Sequence, residues 1–385
     1  MKLKDKMYII QYYMKAYSLN AYRIYNSIPD VTTREFAIIN FDNIMKRHIL
    51  VRDFNSFKRI LIDENVKELY HSSAYYLFPD KPMDQKEWRG ADLIFDIDAD
   101  HIDRVRLKEV YICKKCGEVH NKPVDICIRC GGTVDKVKLI DSEALNQVKN
   151  ELFKLIDILI DDFGFKEEDL KIFFSGHRGF HIHITNENIL NLDGIERLEI
   201  KDYITMEGID LVTIRDPNSR PIREIKRILR EKKDELNIYF SPNEVKVIRD
   251  ILNRGDVNFY HFLKRIRGRR GFIEKLNKLL LKEGSVGIDG IVTVDTSRLI
   301  RAPESLHGKT GLVKSLLDLE RLDGERIISE SSPEEKMASV YVRYIPRLLW
   351  GDYELNETFN ERIKVPLTLS IYLVNMGIAY DIRDL

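Results

Sequence analysis

All four cysteines of this 385-residue chain lie in one short stretch, as two Cys-x-x-Cys pairs, Cys113–Cys116 and Cys127–Cys130. Ten residues separate the pairs, and a glycine follows each of them. A long chain in an oxidising compartment usually spreads its cysteines, whereas compact pairs in a reducing compartment are typical of metal binding. Four thiolates suit tetrahedral Zn²⁺, exclude Mg²⁺ and leave no open coordination position. The spacing therefore predicts a structural zinc ribbon bound by Cys113, Cys116, Cys127 and Cys130.

Redox disulfide chemistry is the alternative for such pairs, but no thioredoxin-like strand and helix surround them.

The overall composition is that of a folded protein, with 44% hydrophobic and 32% charged residues. Lysine and arginine (62) balance aspartate and glutamate (62), so any contact with a polyanion must be local. No apolar run approaches the roughly 18 residues of a membrane span, and we find no cleaved signal. We expect a cytoplasmic protein.

Hydrophobic periodicity predicts helices and strands in irregular alternation, which indicates an α/β (α+β) fold with mixed sheets. The predicted helices cover residues 7–26, 55–70, 141–163 and 366–377. The predicted strands cover residues 34–41, 45–51, 91–98, 171–174, 181–184 and 290–294. The length favours two or three structural units. We divide the chain into a core segment at 1–110, a zinc-binding motif at 111–135, core at 136–191, a mainly helical insertion at 192–284, and core with a C-terminal helix at 285–385.

Asp96 and Asp98 end the apolar segment Leu93-Ile-Phe-Asp-Ile-Asp98. In a strand, side chains two residues apart point to the same face, so the two carboxylates project together. Paired carboxylates suit Mg²⁺ or Mn²⁺, which bridge substrate phosphates. A solvated strand end is the alternative, since other aspartates lie nearby. A third carboxylate would complete a two-metal site, and spacing does not choose between Asp289 and Asp295.

The segment Ser175-Gly-His-Arg-Gly-Phe-His181 joins two predicted strands and has the composition of a phosphate-binding loop. Its glycines let backbone amides approach a ligand, and Arg178 can fork onto phosphate oxygens. His181 and His183 share one face of the second strand. A glycine-containing turn with an exposed arginine and packed histidines is the alternative.

A second loop, Arg301-Ala-Pro-Glu-Ser-Leu-His-Gly-Lys-Thr310, places Arg301, His307 and Lys309 after a predicted strand. Basic groups in such a loop would neutralise a triphosphate. Taken alone, the loop also fits an ordinary basic surface loop.

The two loops and the Asp96-Ile-Asp98 pair occur in the order seen in archaeo-eukaryotic primases, with a zinc-like knuckle between the aspartates and the first loop. The chain resembles the small, catalytic subunit of archaeal DNA primases, from Arg34-Glu-Phe to the final helix and least across the helical insertion. This resemblance implies a mixed-sheet catalytic core with a zinc-binding knuckle and a helical insertion subdomain.

The resemblance also implies roles for individual residues. Asp96 and Asp98 match the metal-binding pair, and the family's third aspartate lies well upstream of the Ser-Leu-His-Gly histidine, which selects Asp289 over Asp295. His177 receives no role. The residues that match contacts to the nucleotide, or that lie near it in the N-terminal hairpin, are Ser175, Arg178, His181, Arg301, His307, Lys309, Arg34 and Arg47.

Similar primases sometimes include a histidine among the zinc ligands, so His120 is an alternative to Cys113 or Cys116, although we expect four cysteines. The densest basic cluster, Lys264-Arg-Ile-Arg-Gly-Arg-Arg270, is a candidate contact for DNA phosphates, or else a solvated helix face.

The family implies primer synthesis de novo on single-stranded DNA from NTPs or dNTPs, with Mg²⁺ or Mn²⁺ at the carboxylates and structural Zn²⁺ at the cysteines. It also implies a heterodimer with a large subunit that carries an iron-sulfur domain. A metal-dependent nuclease would share the carboxylates but has less need of a triphosphate-binding array. A non-enzymatic zinc-ribbon adaptor would need only the cysteines and a basic face.

Overall fold

A computed structural model describes residues 1–253 and 256–385. The chain divides into two compact units. The sheet unit comprises Met1–Leu152, Lys166–Gly194 and Asp289–Leu385, and the helical unit comprises Phe153–Phe165 and Ile195–Ile288.

The α-helices of the described residues run from α1 to α12 in chain order. They are α1 Leu3–Ser27, α2 Phe54–Asp63, α3 Ser142–Asp157, α4 Gly194–Thr205, α5 Arg220–Glu231, α6 Leu236–Tyr239, α7 Pro242–Leu252, α8 Asp256–Arg265, α9 Arg270–Gly284, α10 Gly290–Val294, α11 Gly324–Glu330 and α12 Leu367–Asn375. Within the described residues, no helix combines the length and apolarity that crossing a membrane requires.

The strands found in residues 1–253 and 256–385 run from β1 to β17 and all belong to the sheet unit. They are β1 Glu35–Asn40, β2 Met45–Leu50, β3 Val66–Ser72, β4 Ala74–Tyr76, β5 Trp88–Ala91, β6 Leu93–Asp98, β7 Lys108–Cys113, β8 Val119–His120, β9 Val134–Leu139, β10 Leu170–Phe174, β11 Gly179–Ile184, β12 Leu299–Arg301, β13 Met337–Ile345, β14 Leu348–Trp350, β15 Tyr353–Leu355, β16 Thr358–Pro366 and β17 Ala379–Asp384.

Two antiparallel sheets of this unit carry the predicted site residues. One has the order β12-β3-β1-β2 and the other the order β10-β11-β6. The register between β6 and β11 sets Asp96 opposite His181 and Asp98 opposite Gly179. Smaller sheets have the orders β16-β13-β17 and β8-β7-β9, with the hairpins β4-β5 and β14-β15. Helices and antiparallel sheets together confirm the predicted α+β class.

Helix α1 buries one face of large side chains at helical spacing, including Ile9, Tyr12, Tyr13 and Tyr17. Its first turn also buries Asp5, which is only 1% exposed. The Asp5 carboxylate accepts hydrogen bonds from the backbone amides of residues 381 and 382 at 3.0 and 2.9 Å. A buried carboxylate is destabilising unless it is hydrogen-bonded, so these two bonds hold β17 against α1.

Two sequence predictions of secondary structure were wrong. Residues 55–70 do not form one helix, because α2 ends at Asp63 and Asn65 adopts a φ of 48°, after which β3 begins. Residues 290–294 form helix α10 instead of a strand, and the Asp289 side chain caps it by accepting the Ile291 amide at 3.0 Å. Short apolar runs fit either structure, and here the cap decides.

The helical unit packs around its own apolar core, which includes Ile225, Leu229, Leu276 and Leu280. The helices α5 and α9 each supply two of these residues four positions apart, which places them on one face of the helix. One turn of π-helix, Ile158–Asp162, follows α3.

Candidate active site

Three carboxylates meet where β6 ends and α10 begins. Asp96 and Asp98 project from β6, while the intervening Ile97 is completely buried on the other face. The backbone amide of Asp289 donates to the carbonyl of Asp96 at 2.8 Å, which holds the start of α10 against the strand. The structure thus brings Asp289, rather than Asp295 at the far end of α10, next to the pair.

The neighbouring carboxylates disfavour the charge of Asp96. Burial, followed by the charges of Asp98 and Asp289, raises the pKa of Asp96 to about 7. Like-charged carboxylates in one partly buried place remain ionised together only when cations compensate them. Hard oxygen donors of this kind fit Mg²⁺ or Mn²⁺.

Basic side chains of the first loop face these carboxylates. Arg178 Nε lies 2.8 Å from Asp98 Oδ1, and its Nη2 lies 2.5 Å from Asp100 Oδ2. His181 Nε2 lies 3.5 Å from Asp96 Oδ1. Burial lowers the pKa of His181 well below its usual value, so this imidazole is neutral at pH 7.

The first loop depends on two of its glycines. A Cβ at Gly179 would lie 1.9 Å from the carbonyl oxygen of Ile97, so only glycine allows β11 to pair with β6 at this point. Gly176 has a φ of 82°, and a Cβ there would lie 2.9 Å from that of His307. The backbone amide of Ser175 closes the turn by donating to the carbonyl of Gly179 at 2.9 Å.

The second loop is closed by its own bonds and supported by α1. The His307 amide donates to the carbonyl of Leu312 at 2.8 Å, and the Lys309 amide donates to His307 Nδ1 at 3.2 Å. Because Nδ1 accepts this bond, the ring proton of neutral His307 resides on Nε2. Tyr13 Oη donates to the carbonyl of His307 at 2.7 Å, and Tyr12 Oη to that of Gly311 at 3.0 Å. The side chain of Lys309 is exposed.

The two loops contact each other through His177, to which the sequence assigned no role. The rings of His177 and His307 stack at 4.6 Å with 16° between their planes. The Thr310 hydroxyl donates to the carbonyl of Gly176 at 2.5 Å. Burial lowers the pKa of His177 and that of His307 well below the usual histidine value, so the stack is uncharged at neutral pH.

The remaining predicted arginines differ in their access to a ligand. Arg301 lies at the end of β12, where its Nη1 donates to the carbonyl of Leu306 at 3.3 Å and its Nη2 lies 3.5 Å from Glu68 Oε2. Its side chain is 11% exposed, so Arg301 supports the second loop through its bond to the Leu306 carbonyl and presents little surface to a ligand.

Arg34 directly precedes β1 and Arg47 lies in β2, and of these two side chains only that of Arg47 reaches solvent. Arg34 is completely buried, with Asp92 Oδ2 2.7 Å from its Nη2 and the ring of Tyr75 3.9 Å away. Arg47 is 39% exposed and its Nε lies 3.1 Å from Oε1 of the buried Glu35. Arg34 therefore joins the strands internally, whereas Arg47 presents a cation at the surface.

Lys314 is a central residue that the sequence did not single out. Its side chain is completely buried, with Nζ 3.0 Å from His183 Nε2 and 2.9 Å from the carbonyl oxygen of Arg301. Burial lowers its pKa well below that of a free lysine. No signal in the sequence marks it, because a single lysine within an otherwise apolar segment resembles a surface position.

The four cysteines form a second cluster away from the carboxylates in the sequence. Their sulfur atoms all lie within 4.8 Å of one another, with Cys113 and Cys130 at 3.5 Å. The amide after each Cys-x-x-Cys pair, that of Gly117 or Gly131, donates to the first cysteine's carbonyl at 2.9 Å. This donor set fits a tetrahedral zinc ion.

The His120 imidazole is not part of this four-residue group. His120 pairs with Tyr111 in the β7-β8 strand pair and is 8% exposed.

The basic cluster 264–270 lies in the helical unit. There Lys264 Nζ donates to the carbonyl of Val212 at 2.9 Å, while the arginines at 265, 267, 269 and 270 are exposed.

The chain is similar to known proteins along most of its length. A family model described as DNA primase small subunit matches residues 137–319. The chain is 31% identical to the DNA primase small subunit PriS of Picrophilus torridus, over 94% of this chain and 97% of the relative. It is 31% identical to PriS of Archaeoglobus fulgidus, over 98% and 99% of the two chains. It is 32% identical to PriS of Pyrobaculum islandicum, over 94% and 97%. The resemblance found in the sequence is confirmed, and the chain belongs to the family of archaeal DNA primase small subunits.

Proposed function

We propose that this chain synthesises short primers de novo on single-stranded DNA, by nucleotidyl transfer from nucleoside triphosphates, as the catalytic subunit of a primase. The observation that carries the proposal is the meeting of Asp96, Asp98 and Asp289 beside two loops rich in basic groups. A carboxylate cluster alone would serve many metal enzymes. The basic loops add the groups that a triphosphate requires.

The three carboxylates would hold Mg²⁺ or Mn²⁺. Two such ions would activate the attacking 3′-hydroxyl and stabilise the charge that develops on the α-phosphate, with pyrophosphate as the leaving group. His181 keeps Asp96 oriented through the 3.5 Å contact between their side chains.

The loops would bind the triphosphate. Arg178 can exchange its two carboxylate partners, Asp98 and Asp100, for phosphate oxygens once cations occupy the carboxylates. Lys309 is exposed, and His307 carries its ring proton on Nε2, so both can donate to phosphate. Ser175 would add a hydroxyl from the first loop.

The other predicted nucleotide-binding residues differ in whether they can touch the nucleotide. Arg47 reaches solvent and can touch the nucleotide or its template. Arg301 acts by holding the carbonyl of Leu306 in the second loop, and Arg34 acts by holding the strands on which Arg47 depends. These two contribute through position instead of direct contact.

The cysteine cluster would hold a structural zinc ion through Cys113, Cys116, Cys127 and Cys130.

Because its net charge is near zero, the chain lacks the general positive field of a protein that binds DNA by itself. We therefore include a large subunit with an iron-sulfur domain as its partner on the template, as the family implies.

Primer synthesis tests the proposal. The protein is incubated with single-stranded DNA, Mn²⁺ or Mg²⁺ and labelled nucleotides, with and without the large subunit. Labelled oligomers should form, and Asp96→Ala should abolish them while the variant stays folded and keeps its zinc. Asp84→Ala, at an exposed position of the β4-β5 loop, is the matched control and should retain synthesis. Absence of oligomers under both conditions refutes the proposal, and template degradation would support a nuclease instead.

A further inference from the structure

Lys314 links the two sheets that carry the active-site residues. His183 belongs to β11 of the sheet β10-β11-β6, and Arg301 belongs to β12 of the sheet β12-β3-β1-β2. Lys314 Nζ lies 3.0 Å from His183 Nε2 and 2.9 Å from the carbonyl oxygen of Arg301. One buried side chain therefore bonds to both sheets.

The backbone of Lys314 also closes the second loop at its base. Its amide donates to the carbonyl of Ser305 at 2.9 Å, and its carbonyl accepts the amide of Glu304 at 2.8 Å. Residues 306–313, which include His307 and Lys309, lie between these bonds. A displacement of Lys314 therefore displaces the loop that would hold the triphosphate.

A line of contacts leads from Lys314 to the carboxylates. The rings of His183 and His181 stack at 6.1 Å with 13° between their planes, and His181 in turn contacts Asp96 at 3.5 Å. The centroid of the Phe173 ring lies 5.0 Å from Lys314 Nζ. The loop and the metal-binding strand thus share one rigid support.

We propose that Lys314 is a positioning residue that fixes the distance between the triphosphate loop and the carboxylates, an inference that rests on the proposed function. Because Lys314 is completely buried, we assign it no direct contact with substrate or metal. Its effect arises because nucleotidyl transfer requires the α-phosphate and the metals in register. A misplacement of about 1 Å at a reacting centre costs on the order of 10²-fold in rate.

Two substitutions separate this role from simple packing. Lys314→Met keeps most of the buried volume but loses both hydrogen bonds, and Lys314→Ala leaves a space that a small amine can enter. We expect both variants to lower kcat/KM for nucleotide addition about 10²-fold, with a raised nucleotide KM and a lowered kcat. Lys364→Ala, at an exposed position of β16, is the control and should behave as wild type.

Added ethylamine should restore Lys314→Ala in a concentration-dependent manner, whereas tetramethylammonium, which cannot donate a hydrogen bond, should not. A merely structural lysine would show no such difference. The inference is refuted if Lys314→Met works within threefold of wild type, or if ethylamine fails to raise the activity of folded Lys314→Ala.

Binding of a fluorescent, non-hydrolysable ATP analogue in the presence of Mn²⁺ keeps the two proposals distinguishable. A wild-type protein that binds the analogue without extending any primer contradicts the proposed function alone. A Lys314→Ala protein that binds the analogue as tightly as wild type, with no response to ethylamine, contradicts the role of Lys314 alone.

Discussion

Nε2 of His181 lies 3.5 Å from Oδ1 of Asp96, directly across the strand pair β6-β11. The histidine is neutral because burial lowers its pKa, and the carboxyl has a pKa of about 7 because burial and two neighbouring carboxylates raise it. Near pH 7 the pair therefore exchanges a proton with solvent at Asp96. Any cation that binds there competes with this proton.

Metal affinity should consequently depend on pH below neutrality. Asp96 is mostly protonated below its pKa of about 7, so Mn²⁺ must displace a proton. We expect the apparent affinity to rise about tenfold per pH unit between pH 5.5 and 6.5 and to level off above pH 7.5. Calorimetric titration with Mn²⁺ measures this. An affinity independent of pH over this range would contradict the account of Asp96, and Asp96→Asn should bind weakly at every pH.

The same pKa predicts a stability change without metal. The carboxyl titrates near 3.8 when exposed and near 7 in the folded protein, so the unfolded state loses its proton first and the folded state becomes less stable as pH rises between these values. Asp96→Asn should therefore raise the free energy of unfolding at pH 8, by at most about 4 kcal/mol, and not at pH 4. Urea unfolding with no Mg²⁺ or Mn²⁺ added measures both, with Asp84→Asn as the control. An equal effect at the two pH values would refute the prediction.

Gly179 should tolerate no side chain. A Cβ at this position would lie 1.9 Å from the carbonyl oxygen of Ile97, and the backbone there has little freedom because β11 is paired on both edges. We expect Gly179→Ala to cost more than about 3 kcal/mol in the free energy of unfolding. Gly271→Ala, in α9 with open space around it, is the control and should be neutral or slightly stabilising. Denaturant titration measures the free energy of unfolding of both variants, and equal values for the two would contradict the prediction.

The hydroxyl of Tyr13 should matter for nucleotide binding. It donates to the buried carbonyl of His307 at 2.7 Å, and that carbonyl also accepts the Gly311 amide at 2.9 Å. Tyr13→Phe therefore removes one of two hydrogen bonds and costs about 0.5–1.5 kcal/mol of stability. The second loop should loosen, raising the nucleotide KM severalfold with little effect on Mn²⁺ affinity. Tyr25→Phe, further along α1, provides the control. Steady-state kinetics that show an unchanged KM would contradict this support of the loop.

Zinc content should depend on the four cysteines and not on His120. Any one of the substitutions Cys113→Ser, Cys116→Ser, Cys127→Ser and Cys130→Ser should lower bound zinc and stability together, because a structural site contributes its binding energy to folding. His120→Ala should retain one zinc per chain. Elemental analysis of the purified variants measures this. Loss of zinc in the His120 variant would show that the imidazole is a ligand.

The sequence predicted best the features that rest on short-range geometry. Alternation along β6 put Asp96 and Asp98 on one face, and the cysteine spacing brought four thiols together, as the structure has them. Local signals decided these cases because neighbouring residues in one strand or turn fix the arrangement.

Features that depend on distant partners were missed. Lys314 meets His183 from 131 residues away, and no local pattern records such a contact. Residues 290–294 were taken for a strand because their apolar character fits both structures, and only the cap from Asp289 makes them helical. The choice of Asp289 itself came from the family resemblance, since its distance from Asp96 along the chain carries no information.

The bonds from Asp5 to the amides of residues 381 and 382 have a consequence for synthesis on the ribosome. Helix α1 is translated long before its anchor in β17, because 376 residues separate Asp5 from Asp381 along the chain. Until then, Tyr12 and Tyr13 belong to a helix without its final attachment, and the loop they support lacks a fixed base. A nascent chain should therefore gain its ability to bind nucleotide late, only after translation has passed these two residues.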